Sequence, residues 1–291
     1  MRTRGTQNRW ALALGAVGLL ALAAAAARAQ EECATCHEDV AKGFAKTPHG
    51  RAYSFDASYN QAGCASCHGP GQEHINAGGE GKILNPAKAK AGDSSAACLS
   101  CHEANKAQAH WQGSPHEAAG VKCASCHSVH ATAPPGREAL AKVSPVTQKC
   151  LECHRSLRKG LNQRSTHPLR EGQMDCTSCH NPHGTPGEKL LVGGSVNDTC
   201  YRCHAEKRGP FLWEHSPVRE DCLTCHTPHG SNHPGMLQAR TTQMCQACHQ
   251  QGRHQTLPGL PAAIWNTNKQ CVNCHSQIHG SNHPSGPLFQ R

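Results

Sequence analysis

Cysteine and histidine carry the chemistry of this chain: of 291 residues, 20 are Cys and 23 are His. Every cysteine falls in one pattern, Cys-x-x-Cys-His, which occurs ten times. The thiol pairs are Cys33 and Cys36, Cys64 and Cys67, Cys98 and Cys101, Cys123 and Cys126, Cys150 and Cys153, Cys176 and Cys179, Cys200 and Cys203, Cys222 and Cys225, Cys245 and Cys248, and Cys271 and Cys274. The histidines that close them are His37, His68, His102, His127, His154, His180, His204, His226, His249 and His275. Two thiols three positions apart on a helical turn can reach both vinyl groups on one edge of a porphyrin. The next residue then lies under the ring and offers its imidazole to the iron, which is the attachment pattern of c-type haem. Structural zinc needs two such half-sites and gives no reason for a histidine after every pair. A disulfide framework does not need ten identical spacings. Ten covalently bound haems are therefore expected, with these cysteines as thioether sites and these histidines as proximal iron ligands.

Thirteen histidines remain, and they decide between conductor and catalyst. An iron with two axial imidazoles is closed and passes electrons, whereas an open one binds small molecules. With the motifs taken in consecutive pairs, one histidine follows the first motif and another the second. His49, His116, His167, His215 and His254 stand 12, 14, 13, 11 and 5 residues after the preceding proximal histidine. His74, His130, His183, His229 and His279 stand 6, 3, 3, 3 and 4 residues after theirs. These ten are the expected distal ligands. His254 is out of line, and His233 or His283 could replace it. The hexapeptide His-Gly-Ser-Asn-His-Pro occurs at 229–234 and again at 279–284, and His110 has no assigned role. Met174, Met236 and Met244 recur at no fixed offset. No motif ends in lysine, the variant of pentahaem nitrite reductases. Bis-histidine ligation points to low potentials.

The elements that must hold these groups are short. Motif spacing of 21 to 34 residues is the internal repeat. Around it recur Thr47-Pro48-His49-Gly50, Asn181-Pro182-His183-Gly184 and Thr227-Pro228-His229-Gly230, with Ser114-Pro115-His116 and Ser165-Thr166-His167 before even-numbered motifs. Each repeat should comprise a helical turn at the motif, a loop, and a short helix offering the distal histidine. Aromatic residues are 4% of the chain, while Gly (28) and Pro (18) are plentiful, so too little apolar surface exists for an ordinary core. The expected fold is a multihaem cytochrome c: irregular loops and short α-helices around a roughly linear row of haems, with negligible β structure. The expected division is a leader at 1–29 and pentahaem halves at 30–160 and 161–291.

The leader carries Arg2, Arg4 and Arg9, an apolar run from Ala11 to Ala27, and the small-residue site Ala27-Arg28-Ala29. This is the form of a cleaved secretory signal peptide, read by the general secretory route since no adjacent arginine pair is present. An uncleaved anchor is the alternative, although 17 apolar residues are short for a span of about 20. The formal charge of +9 falls to +5 without the four leader arginines. Ten haems with two propionates each would bring it to about −15. The Lys and Arg excess is thus matched to propionates rather than to nucleic acid. Neither a nucleotide-binding glycine loop nor a catalytic Ser-His-Asp or carboxylate pair stands out.

Ten such motifs in under 300 mature residues, with Cys-Ala-Ser-Cys-His-Gly-Pro-Gly-x-x-His from Cys64 to His74 and the two hexapeptides, resemble the MtrA/PioA/DmsE family of periplasmic decahaem cytochromes. The resemblance covers the whole mature chain. It implies an electron conduit that enters an outer-membrane β-barrel of the MtrB type. Such a conduit relays electrons between periplasmic or inner-membrane cytochromes and the cell exterior, where an outer-surface multihaem cytochrome can receive them. A freely diffusing periplasmic carrier that serves a reductase is the alternative.

Overall fold

A computed structural model describes residues 33–55, 63–130, 143–250, 270–284 and 286–289 of the chain. The leader and His254 lie outside these residues. Two compact units divide between Glu138 and Ala139, which leaves four motifs in the first and six in the second.

Both units are built from short helices and turns. Ala91–His102 runs 12 residues, Pro145–Cys153 nine, and Val196–Tyr201 and Thr241–Gln246 six each. Polar caps start them: the Ser144 hydroxyl accepts from the Thr147 N–H at 3.1 Å with Pro145 in the first turn, and Ser195 accepts from Asp198 at 3.0 Å. Each of these four helices ends in an odd-numbered motif. Even-numbered motifs in the second unit are single 3-10 turns, Cys176–Ser178, Cys222–Thr224 and Cys271–Asn273. Asp175 and Asp221 cap the first two, accepting from Thr177 and Leu223 N–H at 2.8 and 2.7 Å.

Strand content among the described residues is limited to isolated antiparallel bridges: Ser165 with Ser231, His180 with Leu191, Trp213 with Ser281 and His226 with Leu237. Of the apolar side chains described, Trp111, Leu151 and Leu161 are buried, while Thr47, Ser94, Thr147, Asn197, Ser231 and Ser281 are among the buried polar ones. The polypeptide by itself therefore has the small apolar core and low β content read from its composition.

The expected short helix under each distal histidine occurs at some positions and not at others. Ser114-Pro115-His116 starts the helix Pro115–Ala118, with the Ser114 hydroxyl as cap, and His49 lies in Pro48–Phe55. His183, His229 and His279 instead occupy β-turns, closed by N–H bonds from Gly184 to Asn181, Gly230 to Thr227 and Gly280 to Gln277 at 3.0–3.1 Å. Glycine at the fourth position suits a turn and stops a helix from continuing, and the first two turns also have proline, Pro182 and Pro228, at the second position.

Candidate haem-binding sites

Each motif first makes a local structure. The histidine N–H donates to the carbonyl of the first cysteine, for example His37 to Cys33 and His154 to Cys150 at 3.0 Å and His249 to Cys245 at 2.8 Å. One helical turn thus presents both thiols and the imidazole together. All twenty cysteines are exposed or half-buried.

Thiols of consecutive odd and even motifs meet. Cys98 is hydrogen-bonded to Cys123, Cys200 to Cys222, and Cys245 to Cys271. Burial pushes the Cys98, Cys200 and Cys245 thiols up to about 11, and the facing thiol adds to it. Before thioethers form they are protonated at neutral pH and poor nucleophiles. These three consecutive motif pairs are thus also close in space.

Polar residues that the sequence reading did not select hold these pairs. Asn197 is buried; its amide donates to the Val218 and Arg219 carbonyls at 3.0 Å, and its oxygen accepts from the Cys222 N–H at 2.8 Å. Thr147, fully buried, has its hydroxyl 4.0 Å from the Cys176 sulfur. Both sit three residues before the first cysteine of an odd motif, where Ser95 and Thr242 also stand. That recurring polar position was the available signal.

Among the described residues seven imidazole pairs are seen, and each joins a motif histidine to one outside the motifs. In the first unit His37 faces His74 at 6.3 Å between ring centroids, His68 faces His130 at 5.8 Å, and His102 faces His49 at 5.9 Å. In the second, His180 faces His229 at 6.1 Å, His204 faces His167 at 6.4 Å, His226 faces His279 at 6.2 Å, and His249 faces His215 at 6.1 Å. The separations span 0.6 Å, but the interplanar angles run from 9° to 81°. Ring stacking would select an angle. One metal ion between two nitrogens selects a separation: a metal–imidazole bond of about 2.0–2.1 Å plus roughly 1.1 Å to the centroid, taken twice, is about 6.3 Å. The side chains therefore fit a haem iron between them.

The remaining site residues are placed as follows. His116 lies in the helix Pro115–Ala118, His127 and His154 end their motif helices, and the His183 N–H donates to Asn181 Oδ1 at 3.1 Å. The ligand roles of these four and of His275 rest on their place in the sequence pattern, as does that of His254. His110 is exposed. His233 and Arg240 line a cavity of about 560 Å³ beside the helix that carries Cys245.

A second set of contacts orients the rings. Nδ1 of His68, His180, His226 and His275 faces the carbonyls of Leu84, Lys189, Gly235 and Leu288 at 2.7, 2.8, 2.7 and 2.5 Å. Nδ1 of His74, His167 and His215 faces those of Gly81, Pro228 and Ile278 at 2.9, 3.1 and 3.1 Å. A carbonyl only accepts, so Nδ1 carries the proton in each case and Nε2 keeps its lone pair for a metal. Among these contacts, even-numbered motifs are held through the proximal ring and odd-numbered ones through the distal ring.

Burial lowers the pKa of His49, His130, His215, His229 and His279 below the ordinary 6.5, and neighbouring imidazoles or Lys207 add to it. These are all non-motif members of the pairs, and the neutral form favoured in this way is the form that ligates. Buried Trp213 Nε1, Ser94 Oγ and Ser276 Oγ have no protein hydrogen-bond partner. Each lies within four residues of a paired or motif residue and is a donor suited to a propionate.

This architecture of haem-attachment turns linked by short helices defines a multihaem c-type cytochrome, and comparison with known proteins agrees. Residues 167–209 and 215–254 match the doubled CXXCH motif family, and residues 64–142 match the NrfB-like cytochrome c-type family. The chain is 42% identical to "Multiheme cytochrome MtrA" of Shewanella baltica over 274 residues, 90% of this chain and 81% of the relative. It is 30% identical to "Cytochrome c-type protein NrfB" of Escherichia coli over 45% of this chain and 68% of that protein. It is also 37% identical to "Multiheme cytochrome MtrC" of Shewanella baltica over 44% of this chain, but only 18% of that protein. The chain belongs to the MtrA family of multihaem cytochromes: it binds haem c through its Cys-x-x-Cys-His motifs and transfers electrons.

Proposed function

We propose that the chain is a ten-haem electron conduit between the periplasm and the cell exterior, working within an outer-membrane β-barrel of the MtrB type. The observation that carries the conductor reading is the set of seven imidazole pairs at 5.8–6.4 Å. Haem iron so held supplies a one-electron couple. The chain's part is to close both axial faces, keep the ligating imidazoles neutral, hold Nδ1 against carbonyls, and set successive motifs side by side through Cys98 and Cys123, Cys200 and Cys222, and Cys245 and Cys271. With both faces taken, the sites have no position for a substrate, so the role is that of a carrier rather than an enzyme.

Ten haems, one for each motif, are part of this reading. So are export by a leader cleaved near residue 29, electron exchange with periplasmic or inner-membrane cytochromes, and exchange with an outer-surface multihaem cytochrome. Among the described residues no helix is long and apolar enough to cross a membrane. A freely diffusing carrier that serves a reductase is the second reading, favoured by the NrfB-like match over residues 64–142.

Two measurements test the proposal. The purified holoprotein should contain ten irons per chain and show no spectral change with carbon monoxide when reduced; an iron that binds carbon monoxide refutes the closed-site reading. An outer-membrane fraction should yield the cytochrome together with a barrel protein, and recovery only as a free periplasmic protein would turn the assignment to the second reading.

A further inference from the structure

The two copies of His-Gly-Ser-Asn-His-Pro make the same set of contacts, and the first histidine of each faces a motif ring. His229 faces His180, and His279 faces His226. The serine two residues on is buried, and its backbone forms a reciprocal bridge: Ser231 with Ser165 at 2.8 and 2.9 Å, and Ser281 with Trp213 at 2.9 Å in both directions. Ser165 and Trp213 each precede by two residues another distal histidine, His167 or His215. The carbonyl just before the hexapeptide, Pro228 or Ile278, then accepts from Nδ1 of that second histidine at 3.1 Å in both copies. His167 faces His204, and His215 faces His249. The second hexapeptide histidine folds the tail, its N–H donating to the serine hydroxyl at 3.0 Å in His233 and His283.

Each copy thus gives an imidazole to one motif and a carbonyl to the imidazole that faces the next motif along the chain. Its glycine makes the close approach possible. Gly230 and Gly280 have φ of +120° and +131°. A side chain at 230 would meet the backbone carbonyl of Gly160, and one at 280 the ring of Phe211. Backbone cannot give way as a flexible side chain can.

We infer that this hexapeptide is a clip that couples consecutive haem sites: it supplies the distal ligand of one and, through the preceding carbonyl, sets the orientation and basicity of the distal ligand of the next. Hydrogen bonding from Nδ1–H makes an imidazole a stronger donor, which stabilises oxidised iron and lowers the potential. Pro228 and Ile278 are positioning residues in this sense. The sites at Cys200 and Cys245 are held at lower potential by the carbonyls that immediately precede His229 and His279, the distal ligands of the sites at Cys176 and Cys222. The inference rests on the bis-imidazole reading above.

The experiment uses the haem-loaded full chain. Genetic incorporation of Nδ1-methylhistidine at position 167 keeps Nε2 and removes the donated proton. Its expected effect is an upward shift of one potential, that of the site at Cys200, in voltammetry and redox-titrated spectra, with ten irons retained. Gly230→Ala should move two potentials together, those of the sites at Cys176 and Cys200. Unchanged potentials in the methylhistidine protein, with all irons low-spin and bis-imidazole, overturn the clip. A Gly230→Ala effect confined to one site overturns the coupling. Should Gly230→Ala fail to mature, the methylhistidine protein decides alone. An unmodified protein with fewer irons or an open iron would instead overturn the ligand reading itself.

Discussion

Replacing Asn197 with alanine removes three hydrogen bonds at once, to the Val218 and Arg219 carbonyls and from the Cys222 N–H. The side chain is 8% exposed, so water does not freely replace it. At a net of roughly 0.5–1.5 kcal/mol per bond, the loss sums to about 3 kcal/mol. At ~2–4 °C per kcal/mol for a unit of this size, the holoprotein should melt roughly 6–12 °C lower. Asn197→Asp keeps the acceptor for Cys222 but loses both donated bonds and turns a carboxylate toward two carbonyls, so it should destabilise at least as much. Far-UV circular dichroism of the haem-loaded protein gives the melting temperature. Voltammetry should also show the sites at Cys200 and Cys222 disturbed before those of the first unit. A Tm within about 2 °C of the parent for both variants would refute the reasoning, because it would mean that these bonds do not hold the motif pair.

His229→Ala should open the iron at His180, so that carbon monoxide binds one haem in the reduced variant and none in the parent; an unchanged spectrum would remove His229 from the ligand set. Acid should open sites selectively. Because burial places His49, His130, His215, His229 and His279 below 6.5 in the folded chain, their contribution is complete above 6.5 and is lost as pH falls through the lower folded values. The low-spin spectrum should therefore persist at pH 7 and fail only on the acid side of 6.5; loss on the alkaline side would contradict the sign. Arg240→Ala removes a cation from the cavity beside Cys245 and should lower the potential of that site, because positive charge favours the reduced iron; a rise or no change in the titration would argue against Arg240 acting on that iron.

The chemistry was legible in the sequence because its first step is local. Two thiols and an imidazole on one helical turn need only five consecutive residues, and each motif makes that turn through the bond from its histidine N–H to its first cysteine carbonyl. The scarcity of apolar residues likewise announced short elements and a small core. Asn197 and Thr147 were missed because a polar residue before a motif looks like a surface helix residue until it is seen to be buried. The positive φ of Leu190 and Met236, which follow the carbonyls capping His180 and His226, has no marker in those residue types.

Residue types and spacing were thus sufficient to point to haem c, to propose the proximal ligands and to pick out a regular second set of histidines. Which histidine meets which motif was decided only in three dimensions. His49 lies 12 residues after His37, yet its ring stands opposite His102, and His279 reaches back past its own motif to His226. Distance along the chain limits how far a ring can reach but not in which direction. The direction comes from turns and bridges that bring separate backbones to the one spacing at which two imidazoles can share an iron.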